Sequence, residues 1–288
     1  MSPEDFDYLS KLLKEKSGLA LTKEKVYLLE SRLTPLARKK GFERLDDFVT
    51  ELRLRRKEEM IREVTEAMTT NESFFFRDNT PFDLFREHVL PALSKSRAQK
   101  KQLRIWCAAA STGQECYSLA MILKENEALW RDWRIEIVGT DISTQVLEKA
   151  KAGVYSQFEV QRGLPIKLLI KYFRQVGEMW QIDNALRSMV SFREFNLLDG
   201  FNALGRFDVV FCRNVLIYFD QPTKQDILAR IRTTMPDDGV LFLGAAETVL
   251  GITDKFKPVT GHRGLYVTTE DNGQQFGSLH EKSKVANA

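Results

Sequence analysis

Polar residues suited to gripping a nucleoside stand at the ends of apolar runs along this chain. Asp141 closes "RIEIVGTD", while Arg213, Asn214 and Tyr218 follow one another in "RFDVVFCRNVLIYFD". A carboxylate at a strand end can accept two hydrogen bonds from ribose hydroxyls, fixing a nucleoside without its phosphates. A rival reading makes Asp141 a helix N-cap, since "DIST" leads into a helical pattern. Arg213 as a surface charge and Tyr218 as a core ring are the matching bland readings, and their pairing at one strand end argues against both. The loop "AAASTGQECYS" is made of small residues that let backbone approach a ligand, and Gly113 can take a positive φ. It lacks G-x-G-x-x-G, so a plain strand–helix turn stays open beside a ligand loop.

A second stretch raises a packing problem. In "TTNESFFFRD", consecutive side chains on a helix would point about 100° apart, so Phe74, Phe75 and Phe76 cannot share one core stripe. Asn71, Ser73 and Arg77 flank them with polar groups. The segment is expected to serve two surfaces, with one or two rings in a domain interface.

Two textures surround these candidates. Residues 1–68 read as a small all-helical unit. "DFDYLSKLLKEKSG" has Phe6, Leu9, Leu12 and Leu13 on one face and Gly18 at its stop. "KEKVYLLESRLTPLARKKG" repeats the pattern to Gly41, and a third helix is predicted over "RLDDFVTELRLRRKEEMIREVTEAM" with Asp46 or Asp47 near its cap. From residue 103, "LRIWCAA", "RIEIVGTD", "MVSFREFNL", "RFDVVFCRN" and "GVLFLGAAE" alternate with helical stretches. That order predicts an α/β fold with a mainly parallel sheet, and "KPVTGHRGLYVTT" predicts a terminal antiparallel hairpin. Residues 153–188 interrupt the alternation with a helix, "PIKLLIKYF", and a small hairpin in "FRQVGEMWQIDNALR". The division predicted is a helical domain at 1–68, a linker at 69–80, an α/β domain at 81–270 and a mobile tail at 271–288.

Composition narrows the class. The chain has 288 residues, 43% hydrophobic and 29% charged, with a formal charge of +3. That charge is too small to argue for nucleic acid, and no run approaches the roughly 18 apolar residues of a membrane span. The opening lacks a basic region followed by an apolar one, so no secretory leader is expected. Three cysteines in no zinc-like spacing and three histidines leave little material for a metal site. A reducing cytoplasm and a monomeric chain are the expectation.

A ribose-binding acid without a phosphate cradle fits S-adenosylmethionine better than NAD. That cofactor carries a sulfonium and an amino-acid end where NAD carries phosphates, so it asks for acceptors and a cation.

The motifs "TTNESFFFR", "WCAAASTGQECYSLA", "GTDIS", "FNLLD" and "FCRNVLIYFD", in this order, resemble the chemotaxis receptor methyltransferases of CheR type. The resemblance covers residues 1–268. It implies a class I S-adenosylmethionine-dependent methyltransferase domain (Rossmann-like) with an inserted small β-subdomain, after an all-α N-terminal domain. It also implies methyl transfer to glutamate side-chain carboxylates of the receptors' cytoplasmic helical region, leaving S-adenosylhomocysteine. Carried over by position, the cofactor site comprises Asn71, Ser73, Arg77, Glu115, Asp141, Asn196, Leu197, Arg213 and Asn214. Tyr218 lies near the methyl-transfer point, and Arg77 pairs with the cofactor's carboxylate. Ser73 keeps the hydroxyl of the threonine usual in relatives, whereas "STGQECYS" departs from "STGEEPYS" at Gln114 and Cys116.

The chemistry needs no base, because a glutamate with a pKa near 4.3 is ionised at neutral pH. The run Arg53, Arg55, Arg56 and Lys57 is ordinarily a solvated face, yet receptor methylation helices are rich in glutamate, so the run is expected to steer them. The hairpin in "RQVGEMWQ" is shorter than in relatives that hold a receptor C-terminal peptide, which predicts a tether-independent enzyme. Two alternatives remain: a small-molecule O-methyltransferase, and a non-enzymatic domain that senses the cofactor. Strand four lacks [D/N]-P-P-[Y/F], which disfavours methylation of base amino groups.

Overall fold

The computed structural model describes residues 1–271; the tail predicted to be mobile lies, beyond Asp271, outside the described residues. Helix α1 (Pro3–Ser17) starts where the Ser2 hydroxyl accepts from the Asp5 amide, with Pro3 in the first turn. It stops at Gly18, whose φ of 75° suits glycine and whose N–H donates to the Lys14 carbonyl. Its buried face, Phe6, Leu9, Leu12 and Leu13, packs with Leu29, Leu33 and Ala37 of α2 (Val26–Lys39).

The single third helix expected over 45–68 is two helices, α3 (Leu45–Arg55) and α4 (Glu58–Met68). The chain breaks at Arg56, which takes a left-handed φ of 44°. The reason lies in the stripe. Phe48, Val49 and Leu52 are buried before the break and Met60, Ile61 and Val64 after it. The in-phase position between them, 56, is an arginine, so a straight helix would bury charge. Asp46 and Asp47 lie in the first turn of α3, where they complement the helix dipole, but the N-cap residue is Arg44.

The chain then forms α5 (Thr80–Leu84), a π turn at Phe85–Val89 and α6 (Leu90–Ser96) before entering the sheet. Strand β1 (Gln102–Ala108) is followed by α7 (Gln114–Glu125), β2 (Arg134–Asp141) and α8 (Thr144–Ala152). The insertion holds β3 (Val154–Ser156), α9 (Gln157–Gln161), α10 (Ile166–Tyr172), β4 (Phe173–Val176), β5 (Met179–Ile182) and α11 (Asn184–Arg187). The main sheet resumes with β6 (Val190–Glu194) and β7 (Val209–Cys212), then α12 (Gln221–Thr233), β8 (Val240–Leu243), β9 (Phe256–Pro258) and β10 (Leu265–Thr268).

Among the described residues the main sheet has seven strands in the order β6-β2-β1-β7-β8-β10-β9. Neighbours from β6 to β8 are parallel, and β10 runs antiparallel to both β8 and β9, as the terminal hairpin predicted. The order reverses at β1, whose partners are β2 on one side and β7 on the other. Ligand crevices of open α/β sheets form at the carboxyl ends of strands beside such a reversal. The insertion is a separate three-stranded sheet, β3-β5-β4. Its hairpin was legible, but β3, only three residues long, was not.

Phe75 and Phe76 are buried in the core on the α7 face of the main sheet, and the helical unit has its own cluster without them. This corrects the expectation of an interface with the helical unit. Phe75 meets Tyr155 and Phe173 of the insertion edge-on at 5.0 and 5.6 Å, so the ring joins insertion to sheet. Phe76 stands edge-on to Phe82, and its amide donates to the Ser118 hydroxyl of α7 at 3.0 Å. Phe74 stays half-buried with the guanidinium of Arg162 4.3 Å from its centroid.

Candidate functional site

Strand β2 delivers Asp141 to the carboxyl edge of the sheet with only 5% of its surface exposed. Its two oxygens accept from the backbone amides of Ser111 and Ser143 at 2.9 and 3.0 Å. Burial pushes the Asp141 carboxyl up from its ordinary range, and these amides pull it partly back. The bond to Ser111 clasps the loop after β1, which turns through left-handed backbone at Ala109 (φ 60°) and Ser111 (φ 51°). Such conformations cost of order 1–3 kcal/mol each and persist where surroundings enforce them. Asp141 is not the N-cap of α8. Glu66, from α4 of the helical unit, instead accepts from the Thr144 amide and hydroxyl at 3.1 and 3.0 Å.

Strand β7 delivers Arg213. Its guanidinium donates to Glu115 at 2.8 Å, to Asp78 at 2.8 Å and to the Arg77 carbonyl at 2.7 Å. Burial pushes the Glu115 carboxyl up, and Arg213 opposes that shift. Arg213 Nε is buried and lacks a hydrogen-bond partner. Asn214 follows with a φ of 58°, and Tyr218 closes a 3-10 turn, Leu216–Tyr218, half-buried.

The linker closes the third side. The Asn71 carbonyl accepts from the Ser111 hydroxyl at 2.8 Å. Arg77 donates to the Glu72 carbonyl at 2.8 Å and lies 5.6 Å from the centroid of Phe74.

One cavity is lined by Asn71, Ser73 and Arg77 from the linker, Glu115 and Asp141 from β1–β2, and Arg213, Asn214 and Tyr218 after β7. The helical unit contributes Ser17, Leu19 and Met68 to the same walls. Asn196 and Leu197 do not line it. The Asn196 amide donates to the Lys16 carbonyl at 2.7 Å while its oxygen accepts from the Leu198 amide, and Leu197 is buried in the core cluster containing Trp106. Asn196 instead borders an adjoining hollow that shares Ile142 with the cavity.

The basic run lies elsewhere and is split. Arg53 pairs with Asp5 at 2.7 Å and sits 5.0 Å over Tyr8, and Arg55 pairs with Glu51 at 2.6 Å. Arg56 and Lys57 are exposed at the α3–α4 break. Sequence reasoning missed Asp78, Glu66 and Glu247, which act on the site through other residues. No signal in residue type or spacing marks them, because the groups they hold lie far away along the chain.

Two family models match consecutive stretches of the chain along these elements. Residues 4–69 match the CheR methyltransferase all-alpha domain, and residues 71–265 match the CheR methyltransferase SAM binding domain. The chain belongs to the CheR methyltransferase family.

Among similar proteins, Chemotaxis protein methyltransferase 1 of Pseudomonas aeruginosa is 42% identical over 266 residues, 91% of this chain and 96% of that protein. Chemotaxis protein methyltransferase Cher2 of Pseudomonas putida is 39% identical over 265 residues, with the same coverage of 91% and 96%. The Salmonella typhimurium chemotaxis protein methyltransferase is 32% identical over 260 residues, 89% and 88% of the two chains. This CheR chain is therefore a methyltransferase whose cofactor is S-adenosylmethionine.

The residues present suit that cofactor. Asp141 and Glu115 offer acceptors for hydroxyls and an ammonium, Arg77 offers a cation for a carboxylate, and Arg213 Nε is a donor still to be satisfied. No group of three or more metal-ligating side chains comes together among the described residues. None of the described helices is long and apolar enough to cross a membrane.

Proposed function

We propose that the chain methylates glutamate side-chain carboxylates in the cytoplasmic helical region of chemotaxis receptors, forming methyl esters that tune adaptation. The observation that carries this reading is the cavity itself. Its lining has no histidine, and its carboxylates are already engaged, Asp141 by two backbone amides, Glu115 by Arg213 and Glu72 by Arg162. A hydroxyl or amine acceptor would call for a general base within reach, whereas a glutamate acceptor arrives ionised.

S-adenosylmethionine supplies the electrophilic methyl when bound. In this reading Asp141 holds the ribose, Glu115 the amino group and Arg77 the carboxylate, with Asn71, Ser73, Arg213 and Asn214 completing the cofactor shell. Asn196 would act at the base end through the adjoining hollow, with Leu197 supporting it from the core behind. Tyr218 orients the acceptor at the mouth. Anion and cation merge into neutral products, so excluding water favours the transition state. In-line positioning supplies roughly 7–11 kcal/mol where the geometry is near-attack.

The enzyme would act in the cytoplasm as a monomer. The helical unit at 1–68 would recognise the receptor, the linker at 69–80 would serve the cofactor site, and the domain at 81–270, with its insertion at 153–188, would carry the chemistry. Arg53, Arg55, Arg56 and Lys57 would steer the acidic receptor helices, the two at the helix break most freely, because the first two already hold acidic partners. The two-residue turn at Gly177 and Glu178 leaves a short hairpin, which supports working without a receptor tether.

Labelled S-adenosylmethionine and receptor cytoplasmic fragments test the reading. Label released as methanol in mild alkali is the expected result; alkali-stable label or none overturns it. Reversing the charges of Arg56 and Lys57 should raise KM for the fragment and leave cofactor affinity alone, and an unchanged KM removes them from the docking face.

A further inference from the structure

Glu247 lies in the loop after β8, outside the cavity lining, and is 9% exposed. Its carboxylate gathers four backbone amides. One oxygen accepts from Asn214 at 2.8 Å and Gly244 at 2.7 Å, the other from Val215 at 2.9 Å and Ile217 at 3.3 Å. Three of the four donors belong to the turn between β7 and Tyr218. That turn needs an external acceptor, because its 3-10 segment of three residues leaves most of its N–H groups without internal partners. Asn214 also holds a left-handed φ of 58°, which an asparagine tolerates but does not enforce.

A second feature is built around the same carboxylate. A Cβ on Gly244 would stand 2.8 Å from the Glu247 carboxylate, 2.8 Å from the Asn214 side chain and 3.0 Å from the Asn214 amide. Residue 244 therefore has to lack a side chain for the acid to reach the turn.

We propose that Glu247 is a positioning residue for methyl transfer, acting as the buckle that fixes the Asn214–Tyr218 turn. It bridges the ends of two parallel neighbours, β7 and β8, and sets where Tyr218 stands at the cavity mouth. Arg213 is held separately by Glu115 and Asp78, and of the cofactor-shell residues only Asn214 lies on the turn, so cofactor binding leans on the buckle less than the transfer step does. The consequence is a split: loss of Glu247 damages the transfer step more than it damages binding. This rests on the reading of Tyr218 as the residue at the transfer point.

The test compares wild type with Glu247→Gln and Gly244→Ala. Glutamine keeps the size but turns a donor toward backbone donors, and alanine pushes the acid out while leaving it intact. In each variant kcat for the receptor fragment should fall about 30-fold, within the range that an ångström-scale misplacement produces. S-adenosylhomocysteine affinity should weaken by no more than about threefold, below half a decade of binding constant. Amide hydrogen exchange at Asn214, Val215 and Ile217 should accelerate while β1 stays protected. Equal losses of kcat and affinity, or unchanged exchange at those amides in a folded variant, would overturn the proposal. Should wild type methylate no fragment, the substrate reading fails, and exchange and product affinity still decide the role of Glu247.

Discussion

Arg213 and Glu115 meet at 2.8 Å with the arginine side chain 1% exposed and the glutamate 13% exposed. The same guanidinium reaches Asp78 and the Arg77 carbonyl, so one cation ties the α7 end of the site to the linker. Replacing a buried charge partner leaves the other charge uncompensated, which costs more than the pair contributes. Arg213→Met should therefore destabilise the chain by about 3–5 kcal/mol in urea unfolding. A loss under about 1 kcal/mol would place the pair with exposed ion pairs instead.

Arg77 is less embedded, donating to the Glu72 carbonyl from a half-exposed linker. Arg77→Ala should weaken S-adenosylmethionine binding at least about tenfold, since a charge-assisted contact to the cofactor carboxylate is lost. Thermal unfolding should barely move. Unchanged affinity by calorimetry removes Arg77 from the site.

Gly163 bears on the linker from the insertion. Its φ is +83°, and a Cβ there would come within 2.0 Å of the Phe75 carbonyl. Gly163→Ala should cost more than about 2 kcal/mol through strain and displacement together. It should also loosen Asn71 and Ser73, weakening cofactor binding. A variant as stable as wild type would show that insertion and linker move independently.

Asp220 caps α12 by accepting from Thr223 and pairs with Lys14 of α1 at 2.7 Å. Lys14 first, and Thr223 after it, pull the Asp220 carboxyl down to about 2. A depressed acid contributes stability that is complete above its unfolded value near 3.9. That contribution disappears as pH falls toward about 2. The gap in unfolding free energy between wild type and Asp220→Asn should therefore be constant above about pH 5. It should close below that. A gap independent of pH would show that the charge of Asp220 carries none of it.

Much of this architecture was legible because the sheet's strands are buried runs separated by helical periods. Asp141, Arg213, Asn214 and Tyr218 could be placed because strand ends announce themselves. Position 56 shows the limit: helix propensity favoured continuity, and only the missing apolar residue in the stripe marked the break. Asn196 shows another: its place after a strand was legible, but not that its side chain bonds Lys16 and Leu198 and faces the adjoining hollow. Glu66 and Glu247 were illegible for a different reason. Their partners are backbone amides distant in sequence, and a backbone amide leaves no trace in residue type.

The cavity walls come from two separate hydrophobic cores, with Leu19 and Met68 on one side and Val215, Tyr218 and Phe219 on the other. A small molecule seated there is a bolt across the seam. Prising the helical unit away must also forfeit the ligand's binding free energy. Saturating S-adenosylhomocysteine should thus keep the two halves together after proteolytic nicking between them, so the cofactor's occupancy sets how long the enzyme survives as one body.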